Sequence, residues 1–387
     1  MEDKLTNLLI ALILIIVLGL AGVYAYKLIG DNTKVADVSN QQIQEYVKPD
    51  NTEQNTITNT DSSNTNTNQE QKPSTSIVIP TYESKNNQQT QTIASTTSKY
   101  EYNNRYYYNQ LEESSKAIYD AIESKIDMLK SGTETISIDY DFSSILNEKS
   151  GQTKLNRIYG DAINAINMDI PNLFYIDFSK MSLNIESTTS ILGTKHKLYI
   201  TPKEDETNYL QTGFSTISQV EKAIDSVEYI KEYALDSAKG EDYSRIKILH
   251  DWIIDYDSYS STSSNRGTVY GTFIERQAVC EGYARAFKYL LDNIGINNIL
   301  VIGTATNSAG NTEDHMWNYV QLNGSWYAVD CTWDDPIVQG GGTIGYEVKH
   351  RYFMAGSNTM SKTHVPRRTI SPDGMDFTLP TLNSNNY

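Results

Sequence analysis

The chain reads as an α+β protein, and three observations predict it. Apolar residues recur at helical spacing in some stretches. They alternate at strand spacing in other, separate stretches. Two of those strands are joined by Asn323-Gly324, a two-residue turn pair that favours antiparallel pairing.

Taken in order, the patterned part begins near Tyr102. Asn109 with Glu112 reads as a helix start, with Leu111, Ile118, Ile122 and Leu129 on one face before Gly132. A second helix carries Leu155, Ile158, Tyr159, Ala162 and Ile166, and Pro171 stops it. Residues 173–178, 181–186 and 195–201 read as short strands. A third helix opens on Ser218 and Glu221 as a capping box, with Val220, Ala223, Ile224, Val227 and Ile230 inward. Ile246, Leu249, Trp252, Ile253 and Tyr256 form a fourth, before the serine-rich loop SYSSTSSNRG. A fifth follows Cys280, with Ala284, Phe287, Leu290, Leu291 and Ile294 on one face and Gly295 where a C-terminal cap belongs. Residues 298–304 are the next strand, and 315–322 with 325–332 make the hairpin.

Cys280 therefore sits in the first turn of a helix, where unpaired N–H groups and the positive end of the dipole favour a thiolate over a thiol. The dipole supplies only about 0.3–1 kcal/mol at an exposed site. Glu281 works against ionisation, so a nearby imidazolium has to supply the rest. The plainer alternative is a buried structural cysteine. The hairpin provides the imidazole. Its turn pairs Leu322 with Ser325, Val320 with Tyr327 and, continuing outward, Trp317 with Asp330 and His315 with Thr332. His315, Trp317, Asp330 and Thr332 then share a face, His315 diagonal to Asp330 and within reach of it. A carboxylate there fixes the tautomer of the ring and stabilises its cation. The same register places Cys331 on the opposite face, as neither nucleophile nor disulfide partner.

The stretches VYGTF, AVCEGYARAFKYLLDNIGI and DHMWNYVQLNGSWYAVDCTWDDP resemble the transglutaminase-like superfamily in its bacterial, membrane-anchored branch. The similarity is strong over residues 247–336, with a weaker echo in YYYNQLEESSKAIYDAI. The resemblance implies a papain-like core and a Cys–His–Asp triad that transfers acyl groups through a thioester. Cys280 would be nucleophile, His315 base and Asp330 orienter. It also implies a second oxyanion donor besides the Cys280 backbone N–H. Tyr270 is a candidate through its hydroxyl, packing being its alternative role in a chain with 28 tyrosines. Trp317 is a candidate wall of the substrate groove, with strand packing as its alternative.

Net charge of −16 and the lack of a Lys/Arg cluster exclude a nucleic-acid partner. Two cysteines give no disulfide framework. No zinc spacing, phosphate loop or calcium loop is present, so no cofactor or metal is expected. His196, His250, His350 and His364 read as ordinary surface or core residues. Residues 8–25 are apolar and almost uncharged, long enough for a membrane anchor; a cleaved signal peptide ending in Val-Tyr-Ala is the alternative. Residues 31–99 are rich in Asn, Thr, Gln and Ser and bury too little to offset ordering entropy.

The expected organisation is an anchor at 1–30, a disordered linker at 31–99, an α+β region at 100–240 and the transglutaminase-like domain at 241–387, held outside the cell. Its expected function is thiol acyl transfer on protein or peptide carboxamides, giving crosslinking, deamidation or peptide cleavage. Cell-wall peptides are among the candidate substrates. The competing expectation is a catalytically silent binding or scaffold module of the same fold.

Overall fold

The computed structural model describes residues 105–191, 193–335 and 345–387. The apolar run at 8–25 and the polar stretch at 31–99 lie outside the described residues. Among the described residues, no helix is long and apolar enough to cross a membrane.

The first part is a three-stranded antiparallel sheet of β1 (Ile136–Ile138), β2 (Met181–Ser190) and β3 (Gly193–Pro202), in the order β1-β3-β2. Leu183 pairs with Ile200 and Ile185 with Leu198. Helix α1 (Glu113–Glu123) lies on α2 (Gly151–Asp169), burying Ile118 and Ile122 with Leu155, Ile158 and Ala162. Each such side chain contributes about 1.5–3 kcal/mol on leaving water. The helix expected to start at Asn109 starts four residues later, and Asn109 lies in a 3-10 turn, Tyr108–Gln110. That turn is held from a distance: the buried Asp169 carboxylate accepts the N–H groups of Tyr107 and Tyr108 at 3.1 and 2.9 Å. The strand expected at 173–178 is instead a set of turns. Its apolar residues Leu173, Phe174, Tyr175 and Ile176 are nevertheless buried.

Helix α3 (Ile217–Ser237) begins upstream of the expected capping box. Thr216 accepts from the Gln219 N–H, and the Gln219 amide oxygen accepts from the Ser215 N–H. Helix α3 packs on α4 (Asp242–Tyr256) and on α5 (Cys280–Asn293). Against α5 lies a four-stranded antiparallel sheet of β4 (Asn298–Thr306), β5 (Thr312–Leu322), β6 (Ser325–Val329) and β7 (His364–Pro366), ordered β6-β5-β4-β7. Helix α5 buries Ala284, Phe287, Leu290 and Leu291 of the predicted face, Ile294 being partly buried just past its end, and also Tyr283, Ala286 and Tyr289, so it is central rather than a surface helix.

The hairpin has the predicted register, Leu322 with Ser325 through to Asn318 with Val329. Asn323 and Gly324 both take positive φ, 51° and 77°, as a type I′ turn requires. The second strand is shorter than the alternation to Thr332 suggests and stops at Val329. The following residues coil into a turn, with the Asp334 N–H on the Asp330 carbonyl at 3.1 Å. Thr332 therefore leaves the strand face.

The two parts share one apolar core. Polar ties span them: Tyr106 donates to the Thr378 carbonyl, the Met375 N–H donates to Asp161, and Arg285 donates to the Asn167 carbonyl. The C-terminal stretch thus crosses α2 and pins it to the sheet.

Candidate active site

Cys280 opens α5 and is partly exposed. The loop before it is held by backbone bonds, Ser260 N–H to the Ala278 carbonyl and Val279 N–H to the Arg266 carbonyl. Gly282 makes that closeness possible: a Cβ there would lie 2.4 Å from the Arg266 carbonyl oxygen and 2.7 Å from the Ala278 Cβ. The charge of Glu281, expected to oppose a thiolate, is bound by Arg285 at 2.8 and 3.0 Å. Its repulsion is thereby largely offset.

The Cys280 sulfur stands near the His315 imidazole, close enough to help raise its pKa. The Nε2 of His315 lies 2.7 Å from Asp330 Oδ2. With Nε2 taken by the carboxylate, Nδ1 is the nitrogen left for the sulfur. Both His315 and Asp330 are buried. Burial pulls the imidazole pKa down, but the Asp330 carboxylate and the Cys280 sulfur outweigh it and hold the ring well above its ordinary value. Burial would raise the Asp330 carboxyl, yet His315 and His364 hold it well below the usual carboxylate range.

Asp330 is saturated with donors. Its Oδ1 accepts the N–H groups of Thr332 and Trp333 at 3.0 and 3.1 Å, and its Oδ2 also faces His364 Nε2 at 3.0 Å. The Thr332 and Trp333 bonds explain why β6 ends where it does, since an aspartate that captures nearby N–H groups competes with the ladder. His364 is the functional neighbour that sequence reasoning missed. It stands on β7, a three-residue strand far along the chain, and no local pattern marks it. Tyr259 and Glu313 were missed as well. The Tyr259 hydroxyl is raised by burial and then by the charges of Cys280, Glu313 and Asp330. Glu313, two residues before His315 on β5, is raised by burial and lowered by His315.

The remaining sequence candidates fall elsewhere. Trp317 is 1% exposed, stacked near His315 with centroids 6.0 Å apart, and its ring lies where a Cβ on Gly303 would be 2.7 Å away. It is a floor beneath the imidazole and presents no face to a groove. Tyr270 stacks on Phe174 at 5.8 Å and meets Phe214 edge-on at 5.3 Å, an aromatic cluster joining the two parts. Cys331 lies past the end of β6, in the turn after Asp330; it is a buried free thiol, and burial pushes it up.

Histidines expected to be ordinary are brought together with carboxylates. Besides His315, Asp330 and His364, the set His250, Asp251 and His350 has ligand-type atoms within 4.8 Å of one another. The first set is engaged in the hydrogen bonds just described. Spacing could not reveal the second, because His350 comes from the stretch just after residue 345.

Residues 231–331 match the family model of the transglutaminase-like superfamily. Kyphoscoliosis peptidase from Mus musculus is 31% identical over 109 residues, 25% of this chain and 16% of that protein; the protein from Homo sapiens matches equally. The chain thus spans about a sixth of the length of these curated relatives. Among solved structures, one titled as a TGase is similar with a TM-score of 0.27 and 12% identity, over 45% of this chain and 50% of that one. The periplasmic domain of TgpA from Pseudomonas aeruginosa, bound to ethylmercury, gives a TM-score of 0.22 and 15% identity over 40% and 65%. At such scores these two bear on neither substrate nor reaction. A helix opening on a cysteine, packed on an antiparallel sheet that carries His315 and has Asp330 just past its edge strand, accords with the family match: residues 231–331 of this chain form a transglutaminase-like domain.

Proposed function

We propose that the protein is a thiol acyl-transfer enzyme in which Cys280, His315 and Asp330 act as nucleophile, acid–base and orienter. The observation that carries this reading is the buried His315–Asp330 pair, Nε2 to Oδ2 at 2.7 Å, with Cys280 at the start of α5 near enough to help raise the ring. The thiolate attacks a carboxamide or peptide carbonyl carbon, and the C=O pair moves onto oxygen. The Cys280 backbone N–H at the helix start is suited to receive that charge. When the tetrahedral species collapses, the C–N bond breaks, and the His315 imidazolium gives its proton to the departing amine. The thioester that remains is attacked by water or by an amine, whose proton His315 takes; the C–S bond then breaks and Cys280 leaves as the thiolate. Asp330 stays ionised throughout and keeps Nε2 protonated, so that Nδ1 exchanges protons with the sulfur.

Amine attack gives crosslinking and water gives deamidation or cleavage. The substrate class is protein or peptide. In the same proposal the apolar run at 8–25 anchors the chain and the polar stretch at 31–99 carries the domain outside the cell. Cell-wall peptides are then within reach. The test follows fluorescent amine incorporation and peptide cleavage in parallel, with Cys280→Ala as control. Either activity, lost in the variant, supports the proposal. If neither activity is seen and iodoacetamide fails to alkylate Cys280 at neutral pH, the enzyme reading is wrong.

A further inference from the structure

We infer that His250, Asp251 and His350 form a site for a divalent transition metal of the zinc class, separate from Cys280. The inference starts from donors and acceptors. His350 Nδ1 lies 2.8 Å from the Tyr346 carbonyl, which can only accept, so Nδ1 carries a proton. In a neutral ring the lone pair is then on Nε2, and Nε2 points at Asp251 Oδ1 from 2.7 Å. His250 Nδ1 points at the same oxygen from 2.9 Å, while its Nε2 faces Asp334 Oδ2 at 3.2 Å. Two imidazole nitrogens thus flank one carboxylate oxygen, and the three ligand-type atoms lie within 4.8 Å of one another.

A bound cation accounts for every one of these contacts. Each ring is then neutral: His250 donates Nε2–H to Asp334, His350 donates Nδ1–H to Tyr346, and both lone pairs face the metal. This is the outer-shell arrangement that metal-binding histidines use, the second nitrogen donating to a carboxylate or a carbonyl. Two nitrogens and one oxygen suit zinc-class ions, with water completing the set. Asp251 is one-third exposed, which admits that water. Lys247 binds the other oxygen, Oδ2, leaving Oδ1 to the rings. The rings are held in place: His250 packs against Phe353 at 4.8 Å, and Tyr346 stacks on His350 at 4.0 Å.

The site reaches the triad through backbone. Asp334 accepts the Tyr352 N–H at 2.9 Å, and the Tyr352 carbonyl accepts the Asp330 N–H at 3.2 Å. A metal on His250 would thus brace the turn from Asp330 to Asp334.

The test titrates the chelator-treated full chain with Co2+, whose visible absorption reports low coordination number. The expected result is saturation at one equivalent, displacement by Zn2+, and the same titration in Cys280→Ala. Asp334→Asn should weaken binding about 10- to 100-fold, as outer-shell changes do, and His350→Gln and Asp251→Asn should weaken it at least as much. Circular dichroism confirms that the variants fold. Absence of a Co2+ spectrum overturns the inference. So does a spectrum that persists in folded His350→Gln and Asp251→Asn, or one lost in Cys280→Ala.

Discussion

Replacing Asp330 by Asn removes one charge and almost no volume. The amide oxygen can still accept the Thr332 and Trp333 N–H groups that Oδ1 now accepts, so the turn is retained. Its NH2 group, however, meets His315 Nε2 where Oδ2 stood at 2.7 Å. Two donors cannot share that contact. The ring must deprotonate at Nε2, which leaves the proton on Nδ1 facing the sulfur, the wrong tautomer for a base. The lost charge-assisted bond is worth about 1.5–3 kcal/mol, or roughly 10- to 150-fold in rate. The tautomer change in a triad costs up to about 10⁴-fold in kcat. We therefore expect kcat/KM to fall by about 10²–10⁴-fold. Iodoacetamide gives a substrate-free assay of the same effect. Wild type should be alkylated faster at neutral pH than the variant, whose imidazole no longer takes the thiol proton. The alkaline limb of kcat/KM should also move down, because the carboxylate raises the His315 pKa. A folded Asp330→Asn protein with wild-type alkylation and an unshifted pH profile would refute the orienter role.

Other outcomes follow from the same contacts. The His315 pKa is raised, so the stability it confers is complete below the unfolded value of about 6.5 and is lost as pH rises through the folded value. Urea midpoints measured from neutral to alkaline pH should decline in wild type and show a smaller decline in His315→Gln. Gly303→Ala puts a Cβ 2.2 Å from the Val365 carbonyl oxygen and 2.7 Å from the Trp317 ring. Such overpacking should cost about 1–3 kcal/mol, read as a lower urea midpoint. Gly324→Ala strains a φ of 77° at the hairpin turn, for a loss of roughly 1–2 kcal/mol by the same assay. Native protein should take up iodoacetamide at Cys280 alone, with the buried Cys331 labelled only after denaturation; peptide mapping before and after urea distinguishes the two.

Much of the fold was legible because it rests on local rules. Helix α5 follows from its apolar spacing and its Gly295 cap, which takes a φ of 74°. The hairpin register follows from Asn323-Gly324 as far as Asn318 and Val329, one residue short of Asp330, whose side chain then reaches His315 from the turn. What was not legible depends on partners distant in sequence. Asp169 holds the turn near Asn109 from the far end of α2. Asp330 ends its own strand by turning its carboxylate on Thr332 and Trp333, which alternation cannot foresee. His364 joins Asp330 only because β7 pairs with β4, placing Pro366 beside Gly303 and His364 beside Ala305. The approach of Arg285 to Glu281 follows from helical spacing and was available from sequence, but only the structure shows the two bonded.

The most direct measurement of the central claim is intact-mass and peptide-mapping spectrometry of the full chain after brief exposure to an activated acyl-peptide ester, quenched in acid. A thioester should be found on Cys280, accumulating further when His315 is replaced by Gln, since deacylation then lacks its base. An adduct on any other residue, or none on Cys280 while the protein still turns over substrate, would contradict the account.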